Sequence, residues 1–229
     1  MEEKSKQIQN MFNNIAPKYD FLNRLLSFRR DVYWRKKSIS LMNISGDIKI
    51  LDLACGTGDM TVELKQNYPD SEIVDSDFSI NMLNIAKQKV GDTPLIAGDA
   101  HYLPFKNNSF DRIMIAFGFR NVTNKPLGLS EMYRILKPNG ILCILEFSQP
   151  DGKFFSSVYR FYFTRILPAI GGVVSGNRKA YEYLPDSVYN FPKKNEYRKM
   201  ILDAGFKDVN FNFMTFGICN AAICTKGGY

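Results

Sequence analysis

The sequence is poor in metal-binding side chains. Its 229 residues include a single histidine, His101, and four cysteines, Cys55, Cys143, Cys219 and Cys224. No Cys-x-x-Cys pair occurs, so the spacing typical of a zinc site is missing. We therefore expect no metal, and we expect the cysteines to be small, buried, apolar residues in strands.

A secretion signal is also missing, because the first seven residues, Met-Glu-Glu-Lys-Ser-Lys-Gln, are polar. We expect a cytoplasmic protein. Apolar residues make up 45% of the chain and charged residues 23%, which is typical of a folded globular domain. The net charge of +7 is compatible with nucleic acid, an anionic membrane or an anionic substrate, and selects none of them.

One segment, Phe154–Val174, is apolar and about long enough to span a bilayer. It contains Arg160, Arg165 and Pro168, and two arginines near the middle of a lipid-facing helix are costly. The segment is therefore predicted to be an amphipathic lid or interfacial element that guides a lipid tail and contacts an anionic membrane at its periphery. An ordinary helix packed on the sheet is the alternative.

The chain has no internal repeat and is predicted to form one domain with four parts: a helical N-terminal lid (1–46), a core of alternating strands and helices (47–147), an insertion over the site (148–192), and a C-terminal helix with a β-hairpin (193–229). Predicted strands are Ile48–Leu53, Glu72–Asp77, Pro94–Ala97, Arg112–Phe117, Ile141–Phe147, Val209–Phe213 and Ile218–Cys224. Predicted helices of the core and C-terminal part are Met60–Tyr68, Ser79–Val90, Lys125–Leu136 and Lys194–Ala204.

The first predicted strand runs into a glycine turn, Gly56-Thr57-Gly58, before a helix. Such a turn lets a ligand approach the main chain. The dinucleotide fingerprint needs a third glycine where this chain has Thr61, and the acid Asp52 lies inside the strand end. This arrangement suits a nucleotide-like ligand without a pyrophosphate, for which S-adenosylmethionine is the obvious candidate.

Polar residues also end the next strands, at the sheet edge where doubly wound folds bind ligands. Asp77 is placed to accept hydrogen bonds from a ribose diol, and Asp99, with the Ala100 amide beside it, to accept from an adenine amino group. The fourth strand leads into Phe117. Alone, Asp77 is compatible with a helix cap and Asp99 with a loop residue. Their occurrence at successive strand ends favours S-adenosylmethionine.

Five parallel strands with a terminal hairpin indicate an α/β, Rossmann-like fold of the class I S-adenosylmethionine-dependent methyltransferases. The predicted architecture is a seven-stranded, mostly parallel sheet with helices on both faces. The predicted cofactor-binding residues are Asp52, Gly56, Thr57, Gly58, Asp77, Asp99, Ala100 and Phe117.

Motifs along almost the whole chain resemble those of the ubiquinone/menaquinone biosynthesis C-methyltransferases (UbiE/MenG). They are Met11-Phe12-Asn13-Asn14-Ile15-Ala16-Pro17-Lys18-Tyr19-Asp20 with Asn23, Ser27 and Trp34; Phe117-Gly118-Phe119-Arg120-Asn121-Val122; Arg134-Ile135-Leu136-Lys137-Pro138-Asn139-Gly140; and Tyr181-Glu182-Tyr183-Leu184 with Ser187. The third is shared with many methyltransferases and is less specific. Asp31 stands where the family usually has His, Leu22 stands for a usual Met, and Ala116 stands for a frequent Ser.

The resemblance implies that Thr57, Asp77, Asp99 and Ala100 bind S-adenosylmethionine. It also implies methylation of a ring carbon of a polyprenylated quinol, either demethylmenaquinol, the equivalent ubiquinone precursor, or both. A methyltransferase for another small lipophilic molecule is the runner-up. Nucleic acid is not expected as a partner, because basic residues are scattered and no Asn/Asp-Pro-Pro-Tyr/Phe motif occurs. A homodimer is compatible with the sequence.

Four residues are predicted to serve catalysis. Arg120 is expected to pair with a developing ring oxyanion and Asn121 to hydrogen-bond the ring. The general base is left open between Tyr19, Asp20 and a water held by Arg120 and Asp52. Positions i and i+2 of a helix do not face each other, so only one of the two tyrosines at 181 and 183 is expected to line the ring pocket.

Overall fold

The computed structural model describes residues 2–150, 153–175 and 177–228, so the insertion and the two chain ends are described except for residues 1, 151, 152, 176 and 229. Within the described residues the strands are β1 (Lys49–Leu53), β2 (Glu72–Asp77), β3 (Leu95–Ala97), β4 (Phe110–Ala116), β5 (Leu136–Phe147), β6 (Asp208–Met214) and β7 (Cys219–Thr225). They form one sheet in the order β3-β2-β1-β4-β5-β7-β6.

The first five strands pair in parallel, and β7 runs antiparallel between β5 and β6. This confirms the predicted mostly parallel sheet and its terminal hairpin. The strand order reverses between β1 and β4, the position at which doubly wound sheets open a crevice for ligands.

The α-helices are α1 (Glu2–Ile15), α2 (Tyr19–Leu26), α3 (Arg30–Ser40), α4 (Asp59–Asn67), α5 (Ile80–Val90), α6 (Lys125–Ile135), α7 (Lys153–Phe161), α8 (Leu167–Ser175), α9 (Arg178–Tyr189) and α10 (Lys194–Asp203). Short 3-10 turns cover Ala16–Lys18 and Phe119–Asn121, and a π-helical turn, Tyr162–Ile166, joins α7 to α8. None of the described helices is both long and apolar enough to cross a membrane.

The strand boundaries differ from prediction mainly at β5, which begins at Leu136 rather than Ile141. Leu136 pairs with Phe110, and the ladder shifts register before Arg112 pairs with Ile141. The polar run between Leu136 and Ile141 hid this extension, since no alternation of apolar residues marks it. At the other end β4 stops at Ala116, because Phe117 leaves the strand with a positive φ of 57°.

Successive side chains of a strand point to opposite faces of the sheet, so they pack into two cores, one on each face. Ile113 and Ile115 of β4 join the core beneath α6 and α10, whereas Met114 joins the core beneath α3 and α4. The helices therefore cover both faces, as predicted. All four cysteines are buried free thiols, as predicted. Cys143, Cys219 and Cys224 lie in strands, but Cys55 lies in the turn after β1, so its predicted place in a strand was wrong.

A third apolar cluster joins the N-terminal lid to the insertion. Leu22 and Leu26 of α2 pack with Phe163, Leu167 and Tyr181. The lid therefore rests on the insertion as well as on the core. This packing forms the roof of a site above the carboxyl ends of the strands.

Candidate active site

A first cavity opens at the carboxyl ends of β1, β2 and β4. Five of the predicted cofactor residues line it: Gly56, Asp77, Asp99, Ala100 and Phe117. Ile8, Phe12 and Tyr19 reach it from the lid. Three predicted cofactor residues do not line this cavity: Asp52, which lies in β1, and Thr57 and Gly58, which lie in the glycine turn after it.

Asp77 joins the ends of two strands. The Gly56 N–H donates to Asp77 Oδ2 (2.9 Å), and the Ser79 N–H donates to Oδ1 (2.8 Å). Burial raises the pKa of Asp77, and these backbone N–H groups oppose that shift. A carboxylate oxygen can accept more than one hydrogen bond, so Asp77 keeps acceptor capacity for a ligand hydroxyl.

Asp99 is held by the one histidine of the chain. His101 Nε2 accepts from the Asn124 N–H (3.0 Å), so the proton lies on Nδ1, which donates to Asp99 Oδ1 (2.5 Å). The His101 N–H donates to the same oxygen (2.9 Å). Both bonds go to Oδ1, and Oδ2 remains able to accept from a ligand amino group.

The glycine loop is shaped as a cradle. Gly56 has a φ of +57°, and a Cβ placed on it would meet no atom within 4 Å. That open side is where a ligand approaches the main chain. Gly58 has a φ of +84°, and a Cβ there would lie 2.6 Å from Val90 Cγ1, so glycine is required for packing against α5. The cradle, with Asp77 and Asp99 beside it, fits the predicted S-adenosylmethionine.

Asp52 lies behind this loop in a buried network. The Thr61 hydroxyl lies 2.9 Å from Asp52 Oδ2 and 2.5 Å from Asp75 Oδ1. A hydroxyl has one hydrogen, so one of these carboxyls accepts it and the other must be protonated and donate to Thr61. Burial raises the pKa of both acids, to about 7 for Asp75.

The lid is held to the glycine loop by ion pairs. The Thr57 hydroxyl donates to Asp20 Oδ1 (2.5 Å), and Lys89 of α5 binds Asp20 Oδ2 and Asp59 (2.9 Å). Arg24 of the lid also binds Asp59 (2.7 Å). We call this set of side chains the lid latch. Asp20, predicted as a candidate base, thus has both carboxylate oxygens engaged. It lines neither the first cavity nor a second cavity between the lid and the insertion.

Asp31 extends these contacts into the lid. Its carboxylate accepts from Arg35 Nη1 (2.7 Å) and the Ser27 hydroxyl (2.8 Å), and it also pairs with Arg24. The side chain is almost fully buried. The acid that replaces the family's usual histidine therefore binds two guanidinium groups and fixes the turn between α2 and α3.

A second, larger cavity lies between the lid and the insertion. Phe12, Tyr19 and Phe117 line both cavities, so these three side chains form a shared wall. The second cavity is mostly apolar, with Trp34, Phe147, Tyr159, Phe163, Leu167 and Leu184 among the residues that line it. A flat apolar ring and an attached chain match such a surface.

Arg120 reaches the second cavity from the 3-10 turn after β4. Its Nη1 binds Glu146 Oε1 (2.9 Å) and the carbonyl of Phe117, and its guanidinium lies 5.6 Å from the Phe147 ring centre. The Arg120 N–H also donates to Glu146 Oε2 (3.1 Å). This pair is buried, so Glu146 fixes the direction of the guanidinium and balances its charge.

Asn121 lines the first cavity and is oriented by the insertion. The Tyr183 hydroxyl donates to Asn121 Oδ1 (3.0 Å), which leaves the amide nitrogen to donate to a ligand. The structure corrects the expectation for the two tyrosines, because Tyr181 and Tyr183 both line the second cavity. Burial raises the pKa of each phenol, so both are neutral donors near pH 7.

Proteins of similar sequence identify the family of this chain. A sequence model of the ubiE/COQ5 methyltransferase family matches residues 1–226. The chain belongs to that family. Relatives include the ubiquinone/menaquinone biosynthesis C-methyltransferase UbiE of Geobacter sulfurreducens, 43% identical over 99% of this chain and 91% of the relative. The demethylmenaquinone methyltransferase of Thermus thermophilus is 45% identical over 91% of this chain and 96% of the relative.

Solved structures show the same fold. A SAM-dependent methyltransferase of Thermotoga maritima has a TM-score of 0.69 at 19% identity, covering 95% of this chain and 98% of that one. A phosphoethanolamine N-methyltransferase of Haemonchus contortus with bound S-adenosylmethionine has a TM-score of 0.64 at 15% identity, covering 84% and 52%. The class I fold is thereby confirmed. The chain is a methyltransferase.

Sequence reasoning missed Glu146, Asp75 and Lys89 in this methyltransferase. A signal for Glu146 was available, since it is the one charged residue in the apolar run Ile141–Phe147. A buried charge in a strand implies a partner. Asp75, inside the predicted strand Glu72–Asp77, offered the same kind of signal. Lys89 offered none, because nothing in the sequence separates it from the neighbouring Lys87 of the same helix.

The lid latch predicts an effect on cofactor exchange. Asp20→Asn removes one charge from the pairs with Lys89 and Thr57, so we expect faster dissociation of S-adenosylhomocysteine, by about 5-fold, as for a half-exposed ion pair of about 1 kcal/mol. Stopped-flow measurements at low and high salt check this. Asp203→Asn, which breaks an exposed pair with Lys199, is the control and should leave the rate unchanged. Equal rates in wild type and Asp20→Asn would contradict the latch.

The buried acids predict a pH dependence of stability. Burial raises the pKa of the Asp75 carboxyl from 3.8 in the unfolded chain to about 7 in the folded protein. Between these two pH values the folded state therefore holds a proton that the unfolded state has released. Stability from this proton is complete below pH about 4 and is lost as the pH rises through about 7. Asp75→Asn cannot ionise, so its unfolding free energy should rise relative to wild type over this range. Urea unfolding at several pH values measures the difference, and parallel curves would refute the shared proton.

Proposed function

We propose that this methyltransferase transfers a methyl group from S-adenosylmethionine to a ring carbon of a polyprenylated quinol. The observation that supports this most is the pair of adjoining cavities with one shared wall. One carries the acids and glycines suited to the donor, and the other is large and apolar. The first relative is named for ubiquinone and menaquinone biosynthesis and the second for the methylation of demethylmenaquinone, so a menaquinone-type ring is common to both names.

In the first cavity, Asp77 accepts from the ribose hydroxyls and Asp99 from the adenine amino group, while Gly56, Ala100 and Phe117 shape the contact with the main chain. Thr57 and Gly58 hold the loop in place, and Asp52, whose pKa is raised by burial, supports it from beneath through its hydrogen bond with Thr61. When bound, S-adenosylmethionine supplies an electrophilic methyl group on a cationic sulfonium. The neighbouring carboxylates favour that cation electrostatically.

In the second cavity, Arg120 stabilises negative charge on the ring hydroxyl oxygen. An ionised hydroxyl makes the adjacent ring carbon nucleophilic. The ring carbon would then form its bond to the methyl carbon as the sulfur–carbon bond breaks, and transfer of the proton on that ring carbon to water would restore aromaticity. Holding the two reactants in line supplies much of the rate.

Tyr19 positions the ring hydroxyl, whereas Asn121, predicted to hydrogen-bond the ring, lines only the first cavity and is placed to donate to a ligand there. Of the side chains considered as base, Tyr19 lies in the shared wall, where it contacts both cavities. Asp20 is engaged in the lid latch and Asp52 lies behind the glycine loop. We therefore assign the hydroxyl proton to a water between Tyr19 and Arg120, which it reaches directly or by relay through the Tyr19 hydroxyl, and we assign Asp20 to lid closure.

Such a substrate resides in a membrane because of its prenyl chain, so the enzyme works at a membrane surface. The decisive experiment is the quinone profile of a strain that lacks this gene, with and without the protein restored. We expect a demethylated naphthoquinone to accumulate and to disappear on restoration. Accumulation of a benzoquinone precursor alone would reassign the substrate ring, and an unchanged profile would refute the proposal.

A further inference from the structure

Two segments carry large apolar side chains in contact with water. One is α2 with the turn that follows it, and the other runs from α7 through the π-helical turn to α8 and is called the α7–α8 segment. Exposed fractions reach 62% for Phe21, 76% for Phe28, 62% for Phe161 and 86% for Val173. Leu25, Ile166 and Ile170 are exposed on the same two segments. We call these seven side chains the apolar rim. A group of this size on one face differs from the scattered apolar residues of an ordinary surface.

Contacts between the two segments show that the rim is one surface. The Tyr162 hydroxyl donates to the Leu26 carbonyl (2.8 Å), and the rings of Tyr162 and Phe28 lie 6.0 Å apart. Further along, Lys18 Nζ donates to the Val174 carbonyl (2.9 Å). These bonds tie α2 to the α7–α8 segment along its length.

The rim meets the second cavity at Phe28. Phe28 lines that cavity although most of its surface is exposed, so it lies at the opening. Tyr162 and Arg30 line the cavity beside it. A chain attached to a ring in this cavity therefore leaves the protein through the rim.

The turn that presents Phe28 is strained. Phe28 and Arg29 both have positive φ values, of 51° and 61°. A left-handed conformation costs a non-glycine residue of order 1 kcal/mol, and glycine would avoid that cost. The chain keeps an exposed phenylalanine and an arginine here instead.

The exposed charged side chains on the two segments that carry the rim are all positive. Residues 21–30 and 156–174 contain no acidic residue, whereas Arg29, Arg30 and Arg165 are exposed among them. No ion pair within the described parts of the chain involves these three arginines. Arg160, expected from the sequence to act with Arg165, has its guanidinium 5.9 Å from the Tyr189 ring centre instead.

We propose that the apolar rim, flanked by Arg29, Arg30 and Arg165, is the face by which this enzyme sits on an anionic bilayer. The apolar side chains enter the headgroup boundary and the arginines bind lipid phosphates. This deepens the proposed function, because the prenyl tail then stays in the bilayer while the ring enters the cavity. A second copy is a poorer occupant, since a twofold interface through this face would bring the arginines of two chains together.

Vesicle co-sedimentation tests the rim directly, with the full-length protein and vesicles of phosphatidylcholine alone or with phosphatidylglycerol added. We expect binding to the anionic vesicles that weakens with salt. Phe21→Ser/Val173→Ser and Arg29→Glu/Arg165→Glu should each lower the partition coefficient by at least about 10-fold. The matched control is Lys106→Glu/Lys207→Glu, two exposed lysines before β4 and β6, at the amino-terminal end of the sheet, and it should bind like wild type.

Each contrary result overturns the inference. These are absent binding of wild type, equal binding of the rim variants, equal loss in the lysine control, or a wild-type dimer in sedimentation analysis that the rim variants convert to monomer. Turnover on a short-chain, water-soluble quinol separates the two proposals. We expect the rim variants to match wild type on it and to lose turnover only on vesicle-embedded quinol. Absence of turnover on both substrates would refute the proposed function, while vesicle binding would still decide the rim.

Discussion

Replacing Arg120 by alanine is expected to lower turnover by about 10²–10³-fold, the usual effect of losing one donor to a developing oxyanion. The same change leaves the Glu146 carboxylate buried without its partner. Removing one member of a buried ion pair destabilises a fold by about 3–5 kcal/mol. Both effects arise from the loss of one side chain, so turnover and urea unfolding have to be measured on the same preparation.

The double variant Arg120→Ala/Glu146→Gln separates these effects. A neutral glutamine removes the unpaired charge, so we expect most of the stability to return while turnover stays low. Glu146→Gln alone should leave Arg120 charged but less firmly directed, with a lower kcat and little change in KM for the methyl donor. If Arg120→Ala retained full turnover with normal cofactor binding, the catalytic role of Arg120 would be wrong.

Asp77→Asn is expected to weaken binding of S-adenosylmethionine by about 100-fold or more. Both oxygens of Asp77 accept from backbone N–H groups, so an amide places its own N–H₂ against either Gly56 or Ser79. The substitution also removes acceptors for the ribose hydroxyls, and each hydrogen bond to a charged group contributes about 1.5–3 kcal/mol. Two such losses correspond to 100-fold or more in affinity.

Isothermal titration with S-adenosylhomocysteine measures this affinity without any turnover. Asp70→Asn, an exposed acid in the turn before β2, is the matched control and should bind like wild type. Thermal melting establishes that both variants fold. An affinity of Asp77→Asn within a few-fold of wild type would remove Asp77 from the donor site.

Much of the fold could be predicted because it follows from local pattern. Apolar runs ended by Gly56-Thr57-Gly58, Asp77 and Asp99 located three strands and their binding edge correctly. The end of β4 at Ala116 and the start of β5 at Leu136 escaped prediction. These boundaries depend on pairing between distant strands, on which local periodicity has no bearing.

The residues of the candidate site could be predicted from the sequence, but the partners of their side chains could not. Asp20, Arg120 and Asn121 were each recognised as chemically capable, yet their partners, Lys89, Glu146 and Tyr183, come from other elements. A side chain's role depends on whether its polar atoms are already engaged. That is fixed only when the chain has folded.

The sequence by itself therefore determined the class of this protein: a parallel sheet with a glycine turn and acids at successive strand ends, because strand period and turn chemistry are local properties. The tertiary structure decided what each side chain can do. Packing of the lid on the insertion created the second cavity, directed Asp20 into the lid latch, and paired Arg120 with Glu146. Burial and proximity, which set these charges and hydrogen bonds, exist only between elements far apart in the chain.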